Sequence, residues 1–349
     1  MIRRRQKWLC IIAVLGTVFL IIDAGTALSG ATEGIDLCLR CIIPTLFPLI
    51  FLTGILSSSV DPNNAIFTCI EKALHLPTGS CPIWLLGCLG GYPVGARLIS
   101  NRLQAGQLGE AEADDLLIFC NNPGPAFIFG IVGSLFTRPW IPFVLWAIQF
   151  MSSLFLGISL SDSPISMTKD AAPMNCTVKD HLSRALTAIA SICGWVVLFR
   201  ILIRLMDKWF LFLFPQSVRN ILYGILELAN GCAALQHIPR EGARFIYSGG
   251  LLSFGGLCVG LQTASFLPRA NYAKYYHGKL LQSAICILLC LMMQPWLFPT
   301  DERISVPSWL LIVIIGSGIL LFISLYKKIV VEKKKRMVYN QEKAKKRCA

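Results

Sequence analysis

The residues best suited to chemistry lie inside apolar sequence. Glu227-Leu228-Ala229-Asn230-Gly231 places a carboxylate and an amide three residues apart, within the apolar stretch 219–236. An acid at the centre of a membrane span costs about 2.5–3.5 kcal/mol on insertion scales. It must therefore face a cavity, meet a cation or carry a proton. Glu227 reads either as a ligand for a cation or polar solute, or as half of a buried structural pair with a basic residue such as Arg97. Asn121-Asn122-Pro123-Gly124-Pro125 adds two side-chain amides at a second interruption. Those amides can cap loose backbone ends or hold a guest. Gln262 is a polar residue in a third apolar stretch, suited to interhelical hydrogen bonding or to cargo contact. The expected site thus comprises Asn121, Asn122, Gly124, Glu227, Asn230 and Gln262, and its chemistry is the binding of a small polar or ionic solute.

Nothing in the sequence points to catalysis. There is no phosphate-binding GxxxxGK[ST], no HExxH and no GxSxG. The four His are scattered, and the fourteen Cys are spread through apolar segments, where free Cys behaves as a small hydrophobe. Cys38-Leu-Arg-Cys41 has redox spacing without a thioredoxin-like context. The reading is of a protein that is not an enzyme, with no metal and no cofactor.

The elements that position these residues are helices that fail to continue. Gly90-Gly91-Tyr92-Pro93 interrupts an apolar run that resumes at Val94. Pro123 and Pro125 interrupt another, and Gly255 and Gly256 a further one. Pro removes a backbone donor and Gly permits unusual φ. Broken helix is tolerated at membrane depth only where protein shields it or it lines a cavity. Length locates the break at 121–125: residues 126–136 rise about 16 Å as a helix, roughly half of a ~30 Å hydrocarbon core. Helix ends meeting near the midplane are how transporters hold solutes and ions.

The whole chain is of the membrane class. It has 349 residues, 55% hydrophobic and only 15% charged, with mean hydropathy +0.63; soluble domains carry about 25% charged residues. Of the +13 net charge, +12 comes from Arg3, Arg4, Arg5 and Lys7 together with the basic tail from Lys327 onward. Basic flanks stay inside, so both termini are expected in the cytoplasm. The tail has no aromatic interleaving and no nucleic-acid motif, which leaves the lipid bilayer as its partner. Residues 1–34 read as a basic start and first span (9–28), and 301–349 as a last span (308–326) and tail. Between them, 35–160 and 184–300 each run through a leading span, a broken segment, a charged loop, a second broken segment and a trailing span. Residues 161–183 are the linker. In this reading Arg200 and Arg204 snorkel to the interface, Asp23 meets interfacial water, and 278–298 is an ordinary span. The expected fold is an all-α polytopic membrane protein of about 8–10 transmembrane segments, including broken or re-entrant helices, arranged as two weakly related inverted repeats.

Taken in order, the stretches from Gly90 to Arg97, from Phe119 to Pro125, from Glu227 to Gly231 and from Phe254 to Gln262 resemble the motifs of YlbJ-type sporulation integral membrane proteins. Leu37 to Phe51, with Pro44 and Pro48, is similar to their early span. That family belongs to the nucleoside-recognition, or Gate, group, which is similar to parts of concentrative nucleoside transporters and of bacterial ferrous-iron uptake proteins. The resemblance implies a Gram-positive endospore former, a role in spore formation and notably the cortex, and a transporter-like fold. It implies as partners a small polar or ionic solute and other sporulation membrane proteins. The alternative is a non-transporting scaffold or assembly factor of the forespore envelope.

Overall fold

A computed structural model describes residues 2–59, 64–160 and 177–299. These residues form helices and no strand, and six helices are long and apolar enough to cross a membrane: Ala24–Ser59, Glu110–Leu135, Ile141–Ser159, Val178–Trp209, Glu241–Phe266 and Tyr272–Leu297. The protein is a polytopic all-α membrane protein. The expected span at 308–326, the basic tail and linker residues 161–176 lie outside the described residues.

Helix α1 (Ile2–Ile22) stops at Asp23, whose backbone leaves the helical region. The expected first span of 9–28 is therefore cut in two. The reason is lateral: the Asp23 carboxylate meets Lys208 Nζ at 2.7 Å and accepts from Trp209 Nε1 at 3.1 Å, so it is paired to a neighbouring helix end rather than to water. Helix α2 (Ala24–Leu37) passes through a π-turn (Cys38–Ile42) into α3 (Ile43–Ser59). The wider turn sits just ahead of Pro44, where a regular α-helix would drive the ring into the preceding carbonyl. Asn64 caps the short α4 (Ala65–Leu74) by accepting from the Ile66 amide at 3.0 Å.

Helices α5 (Cys81–Gly90) and α6 (Val94–Gln104) form a hairpin whose tip is residues 91–93. Helix α7 (Glu110–Cys120) is followed by an extended break at 121–124, then by α8 (Pro125–Phe127) and a π- and 3-10-helical continuation to Leu135. Helix α9 (Ile141–Ser159) is uninterrupted. Thr177 and Asp180 cap one another at the start of α10 (Val178–Trp209). Helices α11 (Gln216–Leu226) and α12 (Leu228–Ala234) are separated by extended Glu227 alone. Helix α13 (Glu241–Phe254) and α14 (Gly256–Phe266) join through Gly255 and Gly256, both at positive φ, and α15 (Tyr272–Leu297) follows.

Polar contacts define two opposite ends of the bundle. At one end Ser100 Oγ donates to the Phe266 carbonyl at 2.8 Å, the Asn271 amide to Asp114 at 2.9 Å, and Lys274 to Asp115 at 2.5 Å. At the other, the Thr137 amide donates to Glu241 at 2.8 Å, Arg138 to the Leu297 carbonyl at 2.8 Å, and Arg244 to the Leu135 carbonyl at 2.9 Å. The expected snorkelling of Arg200 and Arg204 gives way to a cross-helix pair: both guanidinium Nε atoms donate to Glu33 of α2, at 2.8 and 2.9 Å. Two cations on one carboxylate tie α10 to α2, because the pair at i and i+4 shares the helix face that packs there.

Candidate functional site

The interruptions are packed against one another. Gly91 and Gly124 approach so closely that a Cβ on Gly124 would lie 2.8 Å from Gly91 Cα. On α6, a Cβ on Gly95 would lie 2.1 Å from the Cys120 carbonyl oxygen at the end of α7. The hairpin tip thus nests into the break at 121–124, and only glycine backbones allow it. From that tip, the Tyr92 hydroxyl reaches the carbonyls of Leu252 and Ser253, each at 3.1 Å. These carbonyls belong to the last turn of α13 before Gly255, where intrahelical partners run out. A tyrosine from the first interruption therefore caps the last one.

Glu227 is buried, with 3% of its surface exposed. It sits at the N-cap of α12: Oε1 accepts from the Ala229 amide at 3.0 Å, and Oε2 from the Asn230 amide at 2.6 Å and from Asn230 Nδ2 at 2.7 Å. A carboxylate at a helix N-terminus satisfies orphan amides and meets the positive end of the helix dipole. The alternative pairing with Arg97 is absent; Arg97 lies beside Gly54 and His181.

A cavity of about 40 Å³ opens between the breaks, lined in part by Tyr92, Pro123, Gly124, Glu227, Ala229 and Gln262. At ~10–15 Å³ per water-sized centre, it holds about three waters or one ion with partial hydration. Residues from both halves of the chain form its wall. Of the six site residues expected from sequence, Gly124, Glu227 and Gln262 line it. Gln262 also donates to Cys258 Sγ at 3.3 Å. Asn230 turns back onto Glu227.

Asn121 and Asn122 point elsewhere, into a second polar centre that the sequence reading missed. Asn121 Nδ2 donates to Thr263 Oγ1 at 3.1 Å and to the Tyr275 hydroxyl at 3.3 Å. Asn122 Nδ2 donates to the Phe119 carbonyl at 2.6 Å, capping α7 with its own neighbour. Its Oδ1 accepts from Gln282 at 2.9 Å. At the centre stands Lys279, fully buried. Its ammonium donates to the Asn121 carbonyl and to Gln282 Oε1 at 2.9 Å. It also lies over the rings of Tyr92, 5.4 Å from the centroid, and Tyr275, 5.9 Å away. Acceptor oxygens and aromatic faces stand where a counter-ion would be expected. The expected ordinary span at 278–298 is thus the element that fills the break at 121–124. The legible signal was Lys279 and Gln282, three apart and so on one helix face of an apolar run. Asn121 Oδ1 is buried with no donor among the described residues, an open acceptor of a kind that native interiors seldom leave. Tyr92 joins the two centres, lining the cavity and sheltering Lys279 with its ring face.

No family model matches the chain, and no solved structure matches it. Over 253 residues it is 21% identical to the sporulation integral membrane protein YlbJ of Bacillus subtilis (strain 168), an alignment that covers 60% of this chain and 62% of that protein. The chain therefore matches less than two thirds of the relative's length, and what it is similar to is a membrane protein of sporulation.

Proposed function

We propose that this chain is a transporter-like membrane protein that binds or moves a small polar or ionic solute at the cavity between its broken helices, in a cell forming spores. The observation that carries the reading is one cavity walled by Gly124 of the first half and by Glu227 and Gln262 of the second. The element order supports it. The α5–α6 hairpin and the α11–α12 hairpin open toward opposite ends, and each precedes a broken span. This is the order of inverted repeats, which carry solute sites where the halves meet. Both termini are placed in the cytoplasm by their basic flanks. Similarity to the relative above supports sporulation; the cortex as the stage, other sporulation membrane proteins as partners and a nucleoside-recognition, or Gate, architecture rest on the motif resemblance alone. Size decides what fits this closed state. Pockets for drug-sized ligands run about 300–1,000 Å³, so the cavity suits an ion or a few waters, and a nucleoside enters only after the halves part.

Purified protein in liposomes tests this with a panel of alkali cations, protons and nucleosides. Flux that is lost in Glu227→Gln, with the variant still folded, supports the carrier. One observation favours a scaffold: both Glu227 oxygens already accept hydrogen bonds from the first turn of their own helix. Normal spores from cells that carry both Glu227→Gln and Asn122→Ala at parental protein levels would select the scaffold.

A further inference from the structure

Lys279 of α15 is fully buried and is not one of the residues that wall the solute cavity. Its nitrogen has three polar partners: the Asn121 carbonyl, Gln282 Oε1 at 2.9 Å and, at a longer 3.4 Å, Asn122 Oδ1. Two of these are amide oxygens, which a flipped side chain would replace by nitrogen. One backbone carbonyl fixes both. The Phe119 carbonyl can only accept, so the Asn122 atom 2.6 Å from it is Nδ2, and Oδ1 faces inward. That Oδ1 can in turn only accept, so the Gln282 atom 2.9 Å away is Nε2, and Gln282 Oε1 faces Lys279. Nζ therefore meets three oxygens and no donor. A neutral amine would turn its lone pair on one of them, whereas an ammonium has three protons, one for each.

This charge is met without a counter-ion. Among the described residues the ionisable groups facing Lys279 are the thiols of Cys88, Cys120 and Cys286 and the phenols of Tyr92 and Tyr275; none is a carboxylate. The two rings lie 5.4 and 5.9 Å from Nζ. Their hydroxyls are held elsewhere, Tyr92 on the Leu252 and Ser253 carbonyls and Tyr275 by Asn121 Nδ2. The Asn121 carbonyl directly follows the last turn of α7, the negative end of that helix's dipole. A carbonyl at a broken helix end, two amide oxygens and two π-faces make the setting that a weakly hydrated monovalent cation takes. Mg²⁺ and Ca²⁺ draw on carboxylate oxygens, which this centre lacks.

We propose that this centre is a monovalent-cation site whose occupant is the chain's own Lys279 ammonium. The break at 121–124 then needs no bound alkali ion to hold it. Emptied of its lysine, the site accepts a free cation of the same class, ammonium or potassium before sodium, and no divalent ion.

The test empties the site and offers it cations. Lys279→Met keeps the stem's volume and a good helix former but leaves the Nζ position open to a small ion. Lys279→Ala leaves room for the whole missing fragment, a propylammonium ion. The full chain and both variants are melted in detergent in the chlorides of ammonium, potassium, sodium, propylammonium or N-methylglucamine, the last a reference too large to enter, each at about 100 mM. A cation that binds only the folded state raises the melting temperature by mass action. Lys279→Met should gain at least about 2 °C in ammonium or potassium over the reference, and nothing from magnesium at matched chloride. Lys279→Ala should gain as much from propylammonium, to which Lys279→Met should not respond because methionine fills the stem. The parent should respond to none of them. For a variant too unstable to purify in the reference salt, the reading becomes monodisperse yield, which the matching cation should raise several-fold. The proposal is overturned if neither variant gains from any monovalent cation, or if the parent gains as much as they do. A variant that stays unfolded in every salt also counts against it, since no supplied cation then takes the ammonium's place. These readings report cations at position 279 and not solute flux, so their failure leaves the carrier reading at Glu227 standing.

Discussion

Glu227 offers the sharpest test of how the second break is held. Three donors converge on its carboxylate: two on Oε2, at 2.6 and 2.7 Å, and the Ala229 amide on Oε1 at 3.0 Å. Glutamine can put its single carbonyl where Oε2 stands and keep both donors there. Its NH₂ then faces the Ala229 amide, which loses its acceptor at a cost of about 1–3 kcal/mol. Against that, the neutral side chain removes the roughly 2.5–3.5 kcal/mol penalty of an ionised acid at span depth. The two terms nearly cancel, so Glu227→Gln should change stability by less than about 1 kcal/mol. Alanine removes every acceptor. Two backbone amides lose their partner instead of one, and relief of the charge is common to both variants, so Glu227→Ala should be less stable than Glu227→Gln by about 1–3 kcal/mol, the cost of one further unpaired buried amide. The assay is equilibrium unfolding of both variants in mixed micelles, monitored by tryptophan fluorescence. If alanine is as stable as glutamine, water or another group caps α12, and the geometry argued for the break is wrong. If glutamine is as damaging as alanine, a neutral amide cannot serve there and the charge itself holds the helix.

Two further outcomes follow from particular contacts. Gly95→Ala should yield little monodisperse protein, because its Cβ would meet the Cys120 carbonyl at 2.1 Å; overpacking costs 1–3 kcal/mol or more, and a helix-end carbonyl cannot swing aside as a flexible side chain can. Purification of this variant at parental yield and melting temperature would refute the close packing of α6 on α7. Glu71 of α4 lies outside the spans, buried, with Oε1 accepting from the Cys81 amide at 2.9 Å. Burial holds its carboxyl above the ordinary value of 4.5 despite that bond. A raised folded-state pKa means the fold favours the protonated form, so its contribution is fully present below about pH 4.5 and is lost as pH rises through the raised value. Glu71→Gln keeps the acceptor without the charge; it should melt higher than the parent near pH 8 and equally near pH 4, and an unchanged difference across that range would sink the argument.

How much of this was legible in the residues depends on whether the feature is local. That the chain is helical and membrane-embedded follows from long apolar runs with few charges. The sites of interruption follow from Gly, Pro and Asn inside those runs, at 91–93, 121–124 and Gly255 with Gly256, because failure to continue a helix is decided by a residue's own φ and its own donor. Glu227 stood out for the same reason, as a costly group in an apolar window.

Only the tertiary structure decided who meets the groups that each interruption sets free. Tyr92 caps carbonyls some 160 residues away in α13. Lys279, on a helix that looked plain, supplies the ammonium that binds the Asn121 carbonyl. Arg200 and Arg204 turn from the interface to Glu33, and the two asparagines face away from the cavity that their neighbour Gly124 lines. A broken helix must find partners for its loose backbone, but many polar side chains could serve equally well by type. Which one arrives is set by the packing of helices distant in sequence, and no local pattern encodes that choice.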